Sequence, residues 1–103
     1  MAYQKILERV QWYAKKGGFK YNKINITNAQ KRWGSCSLKG NLNFSWRIIM
    51  APLNVLDYVV VHELVHLVEY NHKKTFWNKV KVLMPYYEQY KDWLKNSGHL
   101  LRL

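Results

Sequence analysis

The chain has 103 residues, enough for one domain with a real core and too few for two, so residues 1–103 are expected to form a single domain. Hydrophobic residues make up 49%, with five Trp and eight Tyr, which excludes a disordered chain, and no apolar run approaches the ~20 residues of a membrane helix. The net charge of +11 is uneven: residues 1–50 hold ten Lys/Arg against Glu8 alone, or +9, and residues 51–103 hold seven against five acids, or +2. A basic N-terminal half of this kind suits a polyanion such as nucleic acid, although solvated lysines account for it as simply. The single Cys36 and the lack of a signal-like start point to a cytoplasmic protein without an internal disulfide or membrane attachment.

Tyr3, Ile6, Leu7, Val10, Tyr13 and Ala14 recur at helical spacing, which predicts an amphipathic helix over residues 2–16, stopped by Gly17-Gly18. From Phe19 to Met50 the pattern turns to short extended runs. Ile24 and Ile26 alternate in a first strand, and Arg32 to Ser37 forms a second in which Gly34 signals a bulge or a close backbone approach. Lys39-Gly40-Asn41 reads as a hairpin turn into a third strand carrying Leu42, Phe44 and Trp46, with Arg47 to Met50 running on behind it. The expected sheet is three-stranded and antiparallel.

Ala51-Pro52 marks a helix entrance, and the helix that follows, to about Tyr70, is apolar almost all round and therefore central. Val59-Val60-Val61 alone would favour a strand, but the apolar pattern is too long for one. Phe76, Trp77, Val80, Leu83 and Met84 give the inward face of another helix. After the interruption at Pro85, Tyr86, Tyr87, Tyr90, Trp93 and Leu94 predict a last one, closed by Asn96-Ser97-Gly98.

Within the central helix lies His62-Glu63-Leu64-Val65-His66, followed six residues later by His72. One helical turn separates His62 from His66, so both imidazoles can reach one ion, with Glu63 beside them and able to take a proton from water. His72 joins them only if the helix stops after His66, because ten residues of helix would carry it roughly 15 Å along the axis. Asn71 suits such a bend, since Asn tolerates the left-handed conformation that ends many helices. A lone histidine is usually structural. Three of the chain's four, with the Glu, in eleven residues at ligand offsets point to one zinc ion with an open fourth position. Glu69 is either an acceptor that orients a ligand or a solvated carboxylate at the helix end.

Arg32-Trp33-Gly34-Ser35-Cys36-Ser37, the Trp46-Arg47 and Ala51-Pro52 pairs, the run from Asp57 to Leu64, Asn71-His72 and Phe76-Trp77 together resemble the YgjP-like metallopeptidase family, which is related to the SprT-like zincins. The resemblance spans roughly residues 20–95. It implies an α+β, zincin-like core: an N-terminal helix, the small sheet, the central metal-binding helix and two C-terminal helices. It implies His62, His66 and His72 as zinc ligands and Glu63 as general base. Lys73 stands where many members carry a helix-capping Ser, and Ser45 where Asn precedes the Trp-Arg pair; both departures bear on local stability. Members are commonly longer, so the chain looks like a reduced catalytic core.

The expected activity is zinc-dependent hydrolysis of a peptide or protein substrate. Tyr70, Tyr86, Arg47 and His99 are candidate donors to the oxyanion. The strand around Arg32 to Ser37 either offers an edge on which an extended substrate pairs or simply packs Trp33 into the core. Cys36 is a potential metal ligand or a small buried hydrophobe. The rival reading is a nucleic-acid-binding module with structural or vestigial zinc, using the Lys and aromatic residues interleaved in residues 3–23, and a protease acting on DNA-bound proteins would combine the two.

Overall fold

In the computed structural model, which describes residues 2–30 and 32–102, a central helix is wrapped by a second helix, a small sheet and two further helices. The order is α1 (Ala2–Gly17), β1 (Lys23–Thr27), β2 (Gly34–Cys36), β3 (Asn41–Ser45), a 3-10 turn (Trp46–Met50), α2 (Leu53–His66), α3 (Lys74–Leu83), α4 (Tyr87–Ser97) and a final 3-10 turn (Gly98–Arg102). The expected α+β class and its helices are present. Among the described residues no helix is long and apolar enough to cross a membrane.

Ile6, Val10, Tyr13 and Ala14 bury one face of α1, whereas Tyr3, expected on that face, is exposed. Gly18 at φ 70° ends the helix, and the Phe19 N–H donates to the Ala14 carbonyl at 2.8 Å, closing a loop that any side chain at a positive φ would strain. The outcome at α2 is equally direct. Ten of its residues, Val55 to Val61 and Glu63 to Val65, are buried, so contacts on every side override the strand preference of the valine run.

The sheet differs from expectation. Its order is β1-β3-β2, with β2 antiparallel to β3 as the hairpin turn requires, but with β1 parallel to β3. Leu42 and Phe44 of β3 are fully buried, so the most apolar strand takes the middle and the other two become edges. The sheet is therefore mixed. Arg47 to Met50 do not extend β3 either. They coil into the 3-10 turn, and Ser45 caps it, accepting from the Arg47 N–H at 3.3 Å while donating to the Ala29 carbonyl at 2.7 Å. Ser45 thus holds this corner instead of weakening it.

An ion pair joins α1 to α2. Arg9 donates to both oxygens of Asp57, from Nε at 2.7 Å and Nη2 at 2.8 Å, and Tyr13 adds its hydroxyl at 3.0 Å. Asp57 is 3% exposed, so these donors replace its lost water. The hydrogen bond to Asp57 holds the Arg9 guanidinium above its ordinary pKa, against the downward pull of burial. Burial first, and then the Asp57 charge, push the Tyr13 phenol up, so it remains a donor.

Two stability measurements check this account. Arg9→Ala strands a buried carboxylate and is expected to lower the unfolding free energy by about 3 kcal/mol, read as a fall in denaturant midpoint. Lys73, at the N-terminus of α3, has the extended backbone of a cap but no capping side-chain bond. Lys73→Ser should therefore stabilise the fold by roughly 0.5–1 kcal/mol and raise the melting temperature.

Candidate metal centre

α2 stops where the site begins. The Leu67 N–H bonds to the Leu64 carbonyl at 3.1 Å and the Val68 N–H to the Val65 carbonyl at 3.0 Å, so the last turn tightens and the helix ends at His66, short of Tyr70. No described residue other than glycine has a positive φ, so Asn71 does not make the bend by a left-handed conformation, contrary to expectation. Residues 69–73 lead outside the helix to α3 and return His72 to the other two histidines.

One nitrogen from each of His62, His66 and His72 lies within 4.8 Å of the others. The Nε2 atoms of His66 and His72 are 2.9 Å apart, and the ring centroids are separated by 4.8 Å (His62–His66), 5.0 Å (His62–His72) and 4.6 Å (His66–His72). Three imidazoles at this spacing could hold a metal ion. Burial, followed by the neighbouring His62, lowers the pKa of both His66 and His72, which favours the neutral form a metal needs. The His66 Nδ1 faces the Glu69 carbonyl at 3.0 Å, a bond that places the proton there and leaves Nε2 with its lone pair toward His72. Glu69 therefore supports a candidate ligand through its main chain. Its carboxylate accepts from the Thr75 hydroxyl at 3.2 Å instead.

Phe76 backs the cluster. Its ring, fully buried at the start of α3, lies 5.1, 4.5 and 4.9 Å from the rings of His62, His66 and His72. Trp77 stacks on His72 at 5.8 Å and 26°, and Tyr87 stacks on Trp77 at 5.3 Å and 15°. The sequence marks Phe76 and Trp77 as core positions, and nothing in their spacing shows that they wall the histidines.

Glu63, 4% exposed, points its Oε2 to the Nδ1 of His62 at 3.1 Å. Above it runs β2. A Cβ on Gly34 would sit 3.1 Å from the Glu63 Cγ, 3.2 Å from its Oε2 and 3.2 Å from the Asn43 carbonyl oxygen, so the expected close approach at Gly34 is to Glu63 itself. A cavity of about 250 Å³ opens beside them, lined by Trp33, Gly34, Tyr58, Val59, His62, Glu63, Lys91 and Leu94. Trp33 both lines this cavity and packs on the core, so the two roles weighed for it coexist. Burial, then Tyr87 and Glu63, push the Tyr58 phenol well above its ordinary pKa, so a neutral hydroxyl is kept in the cavity.

Tyr70, Tyr86, Arg47 and His99 are not among the lining residues. Tyr70 and Tyr86 are 60% and 67% exposed, and Arg47 is buried and donates to the Asn28 side chain at 3.1 Å. Tyr58 and Lys91 stand in the cavity in their place. A signal for Tyr58 does exist in the sequence, one turn before His62 on the same helix face. Cys36 is outside the histidine cluster, and burial with the charge of Glu63 raises its thiol pKa, which disfavours the thiolate.

The family described as YgjP-like, metallopeptidase domain, matches residues 1–97, and the chain belongs to that family. Its fold is similar to the crystal structure of abylysin, a metallopeptidase zymogen of Pyrococcus abyssi, with a TM-score of 0.79 over 90% of this chain and 95% of that one. Sequence identity is 17%, so this likeness establishes the fold. No curated protein matches the chain in sequence.

Gly34→Ala is expected to destabilise the fold by about 1–3 kcal/mol, because the neighbours of the new methyl include a main-chain oxygen that cannot step aside. The histidines add a pH dependence to the metal-free protein. The folded pKa values of His66 and His72 lie below the ordinary value near 6.5, so the unfolded chain binds protons first and stability falls as pH drops below that point. Urea midpoints at successive pH values should show this slope, and His66→Gln should flatten it.

Proposed function

We propose that residues 1–103 act as one domain, a zinc-dependent peptidase in which His62, His66 and His72 hold a single ion and Glu63 is the general base. The observation that carries the reading is the convergence of three imidazole nitrogens within 4.8 Å beside a buried carboxylate that borders a cavity. The donor set fits the metal: three nitrogen ligands of borderline softness, two of them biased toward neutrality, leave a position open. Bound there, zinc would supply Lewis acidity that lowers the pKa of water toward about 7.

The remaining work falls to the chain. Glu63 accepts the proton of the attacking water and returns it to the leaving amine, a role supported by the room that Gly34, lacking a Cβ, leaves for its carboxylate beneath β2. The Tyr58 hydroxyl, kept neutral by burial, is a donor available to the oxyanion. The substrate runs along β2. The Trp33 carbonyl and the Ser37 N–H bond to β3, at 2.9 Å from Ser45 and 3.0 Å to Asn41. By alternation, the main-chain groups of Gly34 and Cys36 face the open side. An extended peptide pairing there brings its carbonyl alongside Glu63.

A second reading draws on α1. Trp12 is 51% exposed, with Lys16 Nζ 4.8 Å and Arg9 Cζ 5.6 Å from its ring centre, an arrangement suited to a base and its phosphate. Salt-dependent binding of single-stranded DNA, lost in Trp12→Ala, would establish it; no binding at low salt removes it.

For the peptidase, purified protein should hold one zinc per chain, and a chelator should abolish turnover. Glu63→Gln is expected to retain the metal and lose roughly 10²–10⁴ in kcat. Turnover equal to wild type by that variant excludes the mechanism.

A further inference from the structure

The cavity beside Glu63 has walls of uneven character. Trp33, Tyr58, Val59 and Leu94 make it largely apolar, and its volume of about 250 Å³ falls below the range of drug-sized pockets, so it suits one side chain. Apart from His62 and Glu63, its single charged member is Lys91 of α4. The ammonium of Lys91 sits 4.3 Å from the centre of the Trp77 ring, which also stacks with the rings of His72 and Tyr87. Among the described residues the ion pairs are Arg9–Asp57 and His62–Glu63, so no described carboxylate lies within ion-pair distance of Lys91. An aromatic face thus holds the cation of a side chain that lines the cavity.

Resting on the peptidase reading, we infer that Lys91 sets specificity: it selects substrates that place a carboxylate, from an acidic side chain or from the peptide C-terminus, in the cavity between β2 and α4. Glu63, also in the lining, repels such a group, and Lys91 is the Lys or Arg of the lining that can receive it. An aliphatic or aromatic stem fills the apolar part. A neutral side chain of the same length packs as well but leaves the ammonium unpaired.

The test measures binding without turnover. In Glu63→Gln protein, tryptophan fluorescence follows short N-acetylated, C-amidated peptides carrying Glu or Gln in turn at each position, together with Gln peptides that end in a free carboxylate. At one position the Glu peptide should bind about three- to five-fold more tightly, and the preference should shrink as salt is raised. Lys91→Arg should keep this ratio, Lys91→Gln should bring it to one, and Lys91→Glu should invert it. A Lys91-dependent preference for the free C-terminus alone identifies the terminal carboxylate as the source, and one for internal Glu identifies the side chain. Equal affinities throughout, or a preference that survives in Lys91→Gln, overturn the assignment. The two readings fail separately: turnover that persists without Glu63 defeats the hydrolytic mechanism, whereas a ratio of one defeats only the role of Lys91.

Discussion

At the end of α2 the Leu67 N–H bonds to the Leu64 carbonyl, and the Val68 and Glu69 N–H groups share that of Val65, a tightened last turn with which the helix ends after His66. Continued for one more turn, α2 would keep His62 and His66 in place and carry the third histidine away along the axis, since each residue advances a helix by about 1.5 Å. The Glu69 carbonyl is then free of the helix and reaches the His66 ring at 3.0 Å. The same termination that brings His72 back therefore also orients His66. Chain reversal and orientation of the His66 ring are one local event.

Placing this event at the end of a helix that is otherwise apolar and enclosed has a cost, because Asp57 and Glu63 are both nearly excluded from water. Each is met differently. Asp57 receives three donors from α1 and becomes a rigid joint, while Glu63 meets one imidazole nitrogen and the edge of the cavity. One buried carboxylate is saturated and the other keeps acceptor capacity. They sit on the same helix, six positions apart, and the saturated one fixes the helix on which the other works.

Much of this was legible in residue types. The offsets of His62, Glu63, His66 and His72 drew four groups together without reference to the rest of the chain, and Gly34 was readable as a close approach. What it approaches was not, since β2 reaches Glu63 only through tertiary packing. Strand direction was hidden for a related reason: alternation specifies faces but not neighbours, and burial of Leu42 and Phe44 moved β3 to the centre, leaving β1 parallel beside it. The oxyanion candidates were chosen by chemical type, and none of them lines the cavity. Tyr58 and Lys91 line it by position, the first from α2 and the second from α4.

The mixed sheet is what leaves β2 available. Had β2 taken the middle, as simple antiparallel succession would place it, both rows of its main-chain groups would be engaged by neighbours. With β3 in the centre, β2 is only three residues long, paired on one side, and held over Glu63 by a glycine that permits the contact. Short edge strands are usually a means of avoiding unwanted pairing. Here Gly34 of that strand lines the cavity that also contains His62 and Glu63, so on the proposed peptidase reading the same short edge would serve as the track that aligns a peptide beside the carboxylate.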